Sequence, residues 1–419
     1  MALIKEPYGL VYNDDGSLCT TYRDDDVPFA GVRSFAVETA TTNYFGIDAW
    51  EFDADQSTFY PYELASGKTW ADCWDTKQRA YVGGHNITVW RIWSQIVDLG
   101  QVYSAGTKIT LSWKHKGYLW FIIFYYGLTT DSLTYFNSTN TYEIKGDASL
   151  DHWESNIGLH LKINNIRTGY FWNGSPQHLL DRWYDVEITY TLPANTRYIQ
   201  IIWDFYNAYL ADGGRGVKGY IHKPQIEVKP FASSFVVGSR PTGIIAVPFY
   251  IDLNTEDWVV SFWHKMTNTY SFASRIIFSI DGNFHLNTYH PSAGKYNWMC
   301  MNTDNVVFKA SSTTTVDTNW NFIVLTKNGS NFKVYINGIP EINLNYTGTL
   351  KYNVNNFKFG NFGFGGIGQL SYVSNSLFSN IYIGKYRRKD GTVIWTDDYI
   401  REVYEAQMPF AVQNQLSIY

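Results

Sequence analysis

The sharpest candidate for chemistry is WEFDADQ, Trp50 to Gln56, where Glu51 and Asp53 stand two residues apart. Alternation in a strand would turn both carboxylates to one face. A retaining glycoside hydrolase needs two such carboxyls about 5 Å apart. The segment closes at Gln56 without a further glutamate, and it is read as no hydrolase. The acidic run Asp24, Asp25, Asp26 ends at Pro28 without the alternating ligands of a calcium loop, and reads as a solvated linker. Lys358 to Gly368 (KFGNFGFGGIG) is glycine-rich, but no Lys-Ser/Thr pair and no helix follow, so it reads as a curved strand or loop and not as a phosphate cradle. Asp281-Gly282-Asn283, Asp304-Asn305 and Asn328-Gly329 carry turn chemistry. No G-x-S-x-G is present, and the nine histidines never take a metal spacing such as H-E-x-x-H. His85, His115, His160, His222, His264, His285 and His290 read as ordinary strand or loop residues. The sequence therefore predicts no catalytic residue, no metal ligand, no cofactor and no enzyme.

Rings are the other chemistry on offer. Tyr170, Phe171 and Trp172 are followed by the turn residues Asn173-Gly174-Ser175-Pro176, and three successive rings at a turn cannot all point inward. A sugar face stacks on an exposed ring while amide and imidazole groups hydrogen-bond its hydroxyls. Tyr170, Trp172, Asn173 and His178 are therefore candidate glycan contacts. A structural ring cluster or a protein interface is the alternative reading of the same residues. Trp113, Trp183, Trp263 and Trp320 sit in strand patterns and are expected in cores.

These residues need a scaffold, and the composition says which. Aromatics make up 18% of the 419 residues against 17% charged, a vocabulary that fits pleated, half-buried surfaces. Helical periodicity is confined to a short stretch near the C-terminus. The net charge of -5 comes with no basic stripe, which argues against a nucleic-acid partner. Cys19, Cys73 and Cys300 are too few and scattered for a disulfide framework or metal cluster, and suit reduced thiols. The densest apolar run, Leu119 to Leu128, is roughly half a bilayer span and reads as a buried strand, so no membrane insertion is expected.

Along the chain, residues 1–29 read as an arm in which Asn13-Asp14-Asp15-Gly16 turns a small hairpin. Residues 30–238 form a first sandwich: Ile109, Leu111 and Trp113 alternate with Thr110 and Ser112, and strands at Asp185 to Tyr190 and Tyr198 to Trp203 flank a turn at Pro193. SFVVGSRPTG, with Gly238, Pro241 and Gly243, is a linker. Residues 239–391 form a second sandwich, with strands at Asp257 to Met266 and Trp320 to Lys327. Tight turns at Asn328-Gly329 and Asn337-Gly338 bracket FKVYI. Residues 392–419 hold a short helix and tail: Thr396 caps it, Asp397 and Asp398 suit its positive end, and Ile400, Val403 and Tyr404 give an apolar face. The fold class is all-β, two tandem antiparallel jelly-roll sandwiches with an N-terminal arm and a C-terminal helix.

AGTKITLSWKHKG, DRWYDVEITYTLPANTRYIQIIW and YIHKPQIEVKPFASSF resemble the galactose-binding-like jelly rolls of carbohydrate-binding modules, with Gly106, Trp183, Pro193 and Pro224-Gln225-Ile226-Glu227 at expected places. The likeness covers residues 85–232 well and 34–84 loosely. Such modules recur in glycan-degrading enzymes and in phage tail and capsid appendages. The order SFWHKM, WNFIVLTKNGSNFKVYINGIPE, FSNIYIGKYRR, TDDYIREVYEA resembles the laminin-G-like, concanavalin-A-like jelly roll. Laminarinase-type glucanases share that fold and place E-x-D-x-x-E on one strand, but Gln56 stands where that pattern has its second glutamate, and the E-x-D match at Glu51 and Asp53 lies outside the matching domain. Relatives of this kind sometimes hold calcium through loop carbonyls and carboxylates, which leaves calcium open.

These resemblances imply a virion structural appendage, a phage tail or head fibre or decoration protein, with lectin-like sandwiches facing host glycans. Its partners would be other virion proteins or copies of itself, a homo-oligomer among them, and its place the virion surface after synthesis in a host cytoplasm, since the N-terminus lacks the apolar core of a secretory signal. The alternative is a glycan-binding module of a bacterial cell-surface or polysaccharide-degrading system, extracellular in place. A glucanase or lyase is the third reading.

Overall fold

The computed structural model describes residues 8–12, 18–23, 27–29, 31–38, 40–46, 52–84, 87–119, 121–136, 142–146, 148–151, 160–163, 166–167, 182–205, 218–233, 235–236, 238–240, 243, 245–248, 252–267, 275–281, 284–289, 294–352, 356–360 and 375–416. Across them the strands pair antiparallel, and a single α-helix lies near the C-terminal end. The protein is an all-β, jelly-roll lectin-like fold, as ring and β-branched residues dictate.

The two compact units are not strictly in tandem. One, the inner unit in chain order, consists of residues 41–240, and the other, the outer unit in chain order, combines 1–40 with 241–419. The sequence assigns residues 30–40 to the first sandwich. The structure instead pairs Ser34–Val37 with Ser376–Lys385, Ala36 opposite Leu377, and buries Val37 fully in the second sandwich's core. The arm differs too. Tyr8–Tyr12 and Leu18–Arg23 form the expected hairpin, but Leu18–Arg23 also pairs with Ser34–Val37 and so extends the outer sheet. A lone hairpin is marginal in water, and this neighbouring strand offers it an edge within the same chain.

In the inner unit, one six-stranded sheet centres on Tyr184–Thr191, Lys108–Gly117 and Gly219–Glu227, and the other on Phe121–Gly127, Thr196–Asp204 and Val89–Ser94, with Phe59–Leu64 at its edge. Ile109, Leu111 and Trp113 lie opposite Tyr190, Ile188 and Val186. All six are buried, and they pack in one core with Ile199, Ile201 and Trp203 of the facing sheet. Gly219 is required by this packing, because a Cβ there would lie 1.7 Å from the Tyr118 carbonyl oxygen. The two ends of the unit are sewn together: Thr41–Thr42 pairs with Ser239–Arg240, and the Asn43 amide donates to the Val236 carbonyl at 3.2 Å. The buried Glu227 carboxylate accepts from Ser233 N–H at 2.9 Å, from the Gln225 amide at 2.8 Å, and from the Thr41 hydroxyl.

The outer unit sets an eight-stranded sheet, with Ser376–Lys385, Trp258–Met266, Asn321–Asn328 and Asn331–Ile336 at its centre, against a six-stranded sheet. Trp258, Phe262, Phe278, Phe284, Trp298 and Phe332 fill the space between. The far face of the larger sheet holds a second apolar layer, in which Val259, Trp263, Phe322 and Tyr335 lie beneath Ile400 and Tyr404 of the helix Asp397–Leu416. Tyr399 N–H donates to the Thr396 hydroxyl at 3.1 Å, the expected cap. The helix runs beyond the short stretch expected from periodicity. Asn337 (φ 52°) and Gly338 (φ 79°) supply the left-handed pair that a tight hairpin demands. Trp113 and Trp263 are buried as expected. Trp183 and Trp320 are only half-buried, each standing just before a strand, Tyr184–Thr191 and Asn321–Asn328.

Candidate functional site

Strand alternation builds an outward face on the inner unit. In Phe59–Leu64, Phe59 enters the core, so Tyr60 and Tyr62 point away from it. In Thr196–Asp204, Ile199, Ile201 and Trp203 enter the core, leaving Gln200, Ile202 and Asp204 outward. Phe121–Gly127 is apolar on both faces, and its outward members are Phe121, Ile123 and Tyr125. Register then aligns these side chains in rows. Ile123, Ile202, Trp93 and Tyr60 form one, and Phe121, Asp204, Arg91 and Tyr62 form the next. Tyr135, Tyr125 and Gln200 form a third.

The Tyr62 ring, 39% exposed, stacks on Trp93 with centroids 5.3 Å apart and planes 25° apart. Tyr60 also meets Trp93, with centroids 5.9 Å apart. The Arg91 guanidinium sits 5.5 Å from the Tyr62 centroid, and its Nε donates to the wholly buried Asp204 carboxylate at 2.6 Å. A buried carboxylate of this kind fixes the guanidinium in place and neutralises the pair. The Gln200 amide donates to the Tyr60 hydroxyl at 3.0 Å and to the Ser94 carbonyl at 2.9 Å. Burial raises the Tyr60 phenol above its ordinary value against the opposing Gln200 hydrogen bond, and burial likewise raises Tyr125. Both phenols are therefore neutral hydroxyls at physiological pH. The Trp93 indole N–H is buried with no acceptor among the described residues. Ring faces bordered by fixed hydroxyl, amide and guanidinium groups can stack a flat, hydroxylated ligand and orient it. Asp204 is the one carboxylate in these rows, and it is committed to Arg91, so they hold no acid/base pair.

The sequence candidates Tyr170, Trp172, Asn173 and His178 lie outside the described residues, as does Glu51. Asp53 is a loop clamp: its buried carboxylate accepts the backbone N–H groups of Ser57, Thr58 and Phe59 at 3.2, 2.8 and 2.8 Å. His115 and His264 are fully buried strand residues. Cys73 and Cys300 are free thiols, each pushed up to about 12 by burial. Among the described residues no group of three or more His, Cys, Asp or Glu is placed to hold a metal ion. Sequence reasoning missed Tyr60, Tyr62, Arg91 and Trp93. Their signal is present in FYPYEL and VWRIWS, where Tyr60 and Tyr62 share one parity of their strand and Arg91 and Trp93 share one parity of theirs.

Residues 240–369 match the family described as the concanavalin A-like lectin/glucanases superfamily, a stretch that begins as the chain returns to the outer unit. The chain is similar to the botulinum neurotoxin serotype D binding domain, with 21% identity over 39% of this chain and 40% of that one and a TM-score of 0.30. It is similar to the binding domain of Paraclostridial Mosquitocidal Protein 1, with 9% identity over 68% of this chain and 52% of that one and a TM-score of 0.31. It is also similar to domain 4 of AbnA, an extracellular arabinanase from Geobacillus stearothermophilus, solved in complex with arabinotriose, with 14% identity over 36% of this chain and 66% of that one and a TM-score of 0.26. The chain spans 40% of the length of the neurotoxin binding domain. No curated protein matches it.

Proposed function

We propose that the protein binds glycans without cleaving them, through the outward ring face of its inner unit, as a component of a virion surface appendage. The observation that carries the glycan reading is the Tyr62–Trp93 stack beside an Arg91 held rigid by buried Asp204. Rings give a sugar its apolar platform at low entropic cost, and the fixed polar groups give orientation. The lectin-like jelly roll of the outer unit supports the same reading at the level of fold. The absence of a paired carboxylate among the rows supports binding over hydrolysis. The virion setting, with other virion proteins or further copies of the chain as partners, rests on the resemblance of the two sandwiches to phage appendage proteins.

Affinity electrophoresis of the full chain through gels containing laminarin, xyloglucan, arabinan or galactomannan tests the glycan reading. Wild type should be retarded by at least one polymer, and Tyr62→Ala with Trp93→Ala should weaken that binding about tenfold, a loss of about 1.4 kcal/mol. Release of reducing sugar from any of the polymers would overturn the non-catalytic reading. Immunogold labelling of source particles tests the virion setting, and particles without label would remove it.

A further inference from the structure

We infer that the outer unit carries a second saccharide platform, formed by Tyr382, Trp395 and Tyr399, so that one chain contacts glycan at two separate places. The inference rests on the glycan reading above but on different residues.

Tyr382 is 47% exposed and Tyr399 40%, both high for rings in so aromatic a chain, while Trp395 between them is 7% exposed. Tyr382 lies 5.3 Å from Trp395 with planes 35° apart, and Tyr399 meets Trp395 edge-on at 5.4 Å and 77°. Trp395 belongs to the apolar layer beneath the helix, so the two tyrosines are fixed to a rigid base. Two backbone features seat the first ring. Between the pairs Ser261–Tyr382 and Trp263–Ser379 the strand Ser376–Lys385 carries a bulge, and Asn380 there takes the left-handed φ of 49°. Bulges re-aim side chains and bend the strand. Two residues beyond Tyr382, Gly384 leaves the space that the ring fills, since a Cβ at that position would stand 2.3 Å from the Tyr382 hydroxyl oxygen.

The surroundings select a saccharide. The exposed side chains of the cluster are the phenol rings of Tyr382 and Tyr399. Along the helix, Tyr399 is flanked by the Asp398 carboxylate, 84% exposed, and the Arg401 guanidinium, 54% exposed, which pair at 3.6 Å. The exposed aliphatic residues Val306, Val307 and Ile339 belong to other segments of the unit. Stacking surface bordered by donors and acceptors matches the face and hydroxyls of a neutral sugar.

The test uses the full chain and the same four polysaccharide gels. In the Tyr62→Ala/Trp93→Ala background some retardation should persist in at least one polymer, and adding Tyr382→Ala and Tyr399→Ala should abolish it. Gly384→Ala keeps the ring but displaces it, and in that same background should weaken the residual binding at least threefold with an unchanged melting temperature. If the Tyr62→Ala/Trp93→Ala variant already binds nothing, the second platform is absent while the inner face stands. Residual binding that survives both Gly384→Ala and the tyrosine substitutions also removes it. A wild-type chain retarded by none of the four overturns both faces together.

Discussion

Burial decides the behaviour of single residues in this protein more than their chemical type does. His115 and His264 are pushed down from 6.5, His115 to about 4 and His264 to about 3, both by burial. They stay neutral in the folded chain, while the unfolded chain protonates them below about pH 6.5. Unfolding therefore takes up protons, and stability should fall as pH drops from 6.5 towards 4, by up to about 1.4 kcal/mol per pH unit for each histidine. Urea melts across that range check this, and His115→Gln should flatten the slope for the inner unit. The tryptophans divide the same way. Trp263 is 1% exposed and its indole N–H donates to Gln407 at 2.7 Å, so Trp263→Ala should cost about 3–5 kcal/mol. Half-buried Trp320 should cost about 1–2 kcal/mol on truncation, in proportion to the area it covers. Chemical denaturation of the two variants measures the difference.

The helix Asp397–Leu416 is the element whose local chemistry is most explicit. Thr396 caps it, and the Asp397 carboxylate accepts from Lys333 Nζ at 3.0 Å and from the Tyr335 hydroxyl at 2.7 Å. Burial alone would raise the Asp397 carboxyl, but the Tyr335 and Lys333 hydrogen bonds outweigh it and hold the group below its ordinary value. Its contribution is thus present at neutral pH and is lost as pH falls through the lowered value. Thr396→Ala should destabilise the outer unit by about 1 kcal/mol, read as a lower melting temperature of that transition with the inner-unit transition unmoved. The edge strand Phe59–Leu64 shows a different device. Pro61 lacks an N–H and Glu63 takes a left-handed φ of 56°, so an edge that presents Tyr60 and Tyr62 is poorly suited to pair with another chain.

In chain order, residues 41–240 are an insertion between the two segments of the outer unit. Inside the outer unit the two ends of the break lie together, with Gly243 N–H donating to the Glu38 carbonyl at 2.9 Å. The inner unit's own ends pair through Thr41–Thr42 and Ser239–Arg240. Adjacent ends are what make a domain insertion tolerable. Residues 1–40 joined by a short Gly/Ser linker to 241–419 should therefore melt cooperatively, and 41–240 should do so alone. Residues 239–419 alone lack Ser34–Val37 and the core residue Val37, and should melt at lower temperature or not fold. Circular dichroism of the three fragments decides it, and a 239–419 fragment as stable as the excised chain would refute the nested arrangement.

The sequence by itself determined what depends on neighbours a few residues apart. Ile109, Leu111 and Trp113 share a face because alternation puts them there, Asn337-Gly338 turns because Asn and Gly tolerate positive φ, and Thr396 caps because its hydroxyl reaches the first turn. Tertiary structure decided what depends on pairing across long separations. SFAV at 34–37 is too short for its pattern to name its partner, and only hydrogen bonding to a strand more than three hundred residues later assigns it to the outer unit. The run FIIFYYG is apolar on both faces, so periodicity could not say which rings turn outward. Tyr62, Arg91 and Asp204 come from three distant strands, and the register that sets them in one row is a property of the sheet and not of any segment.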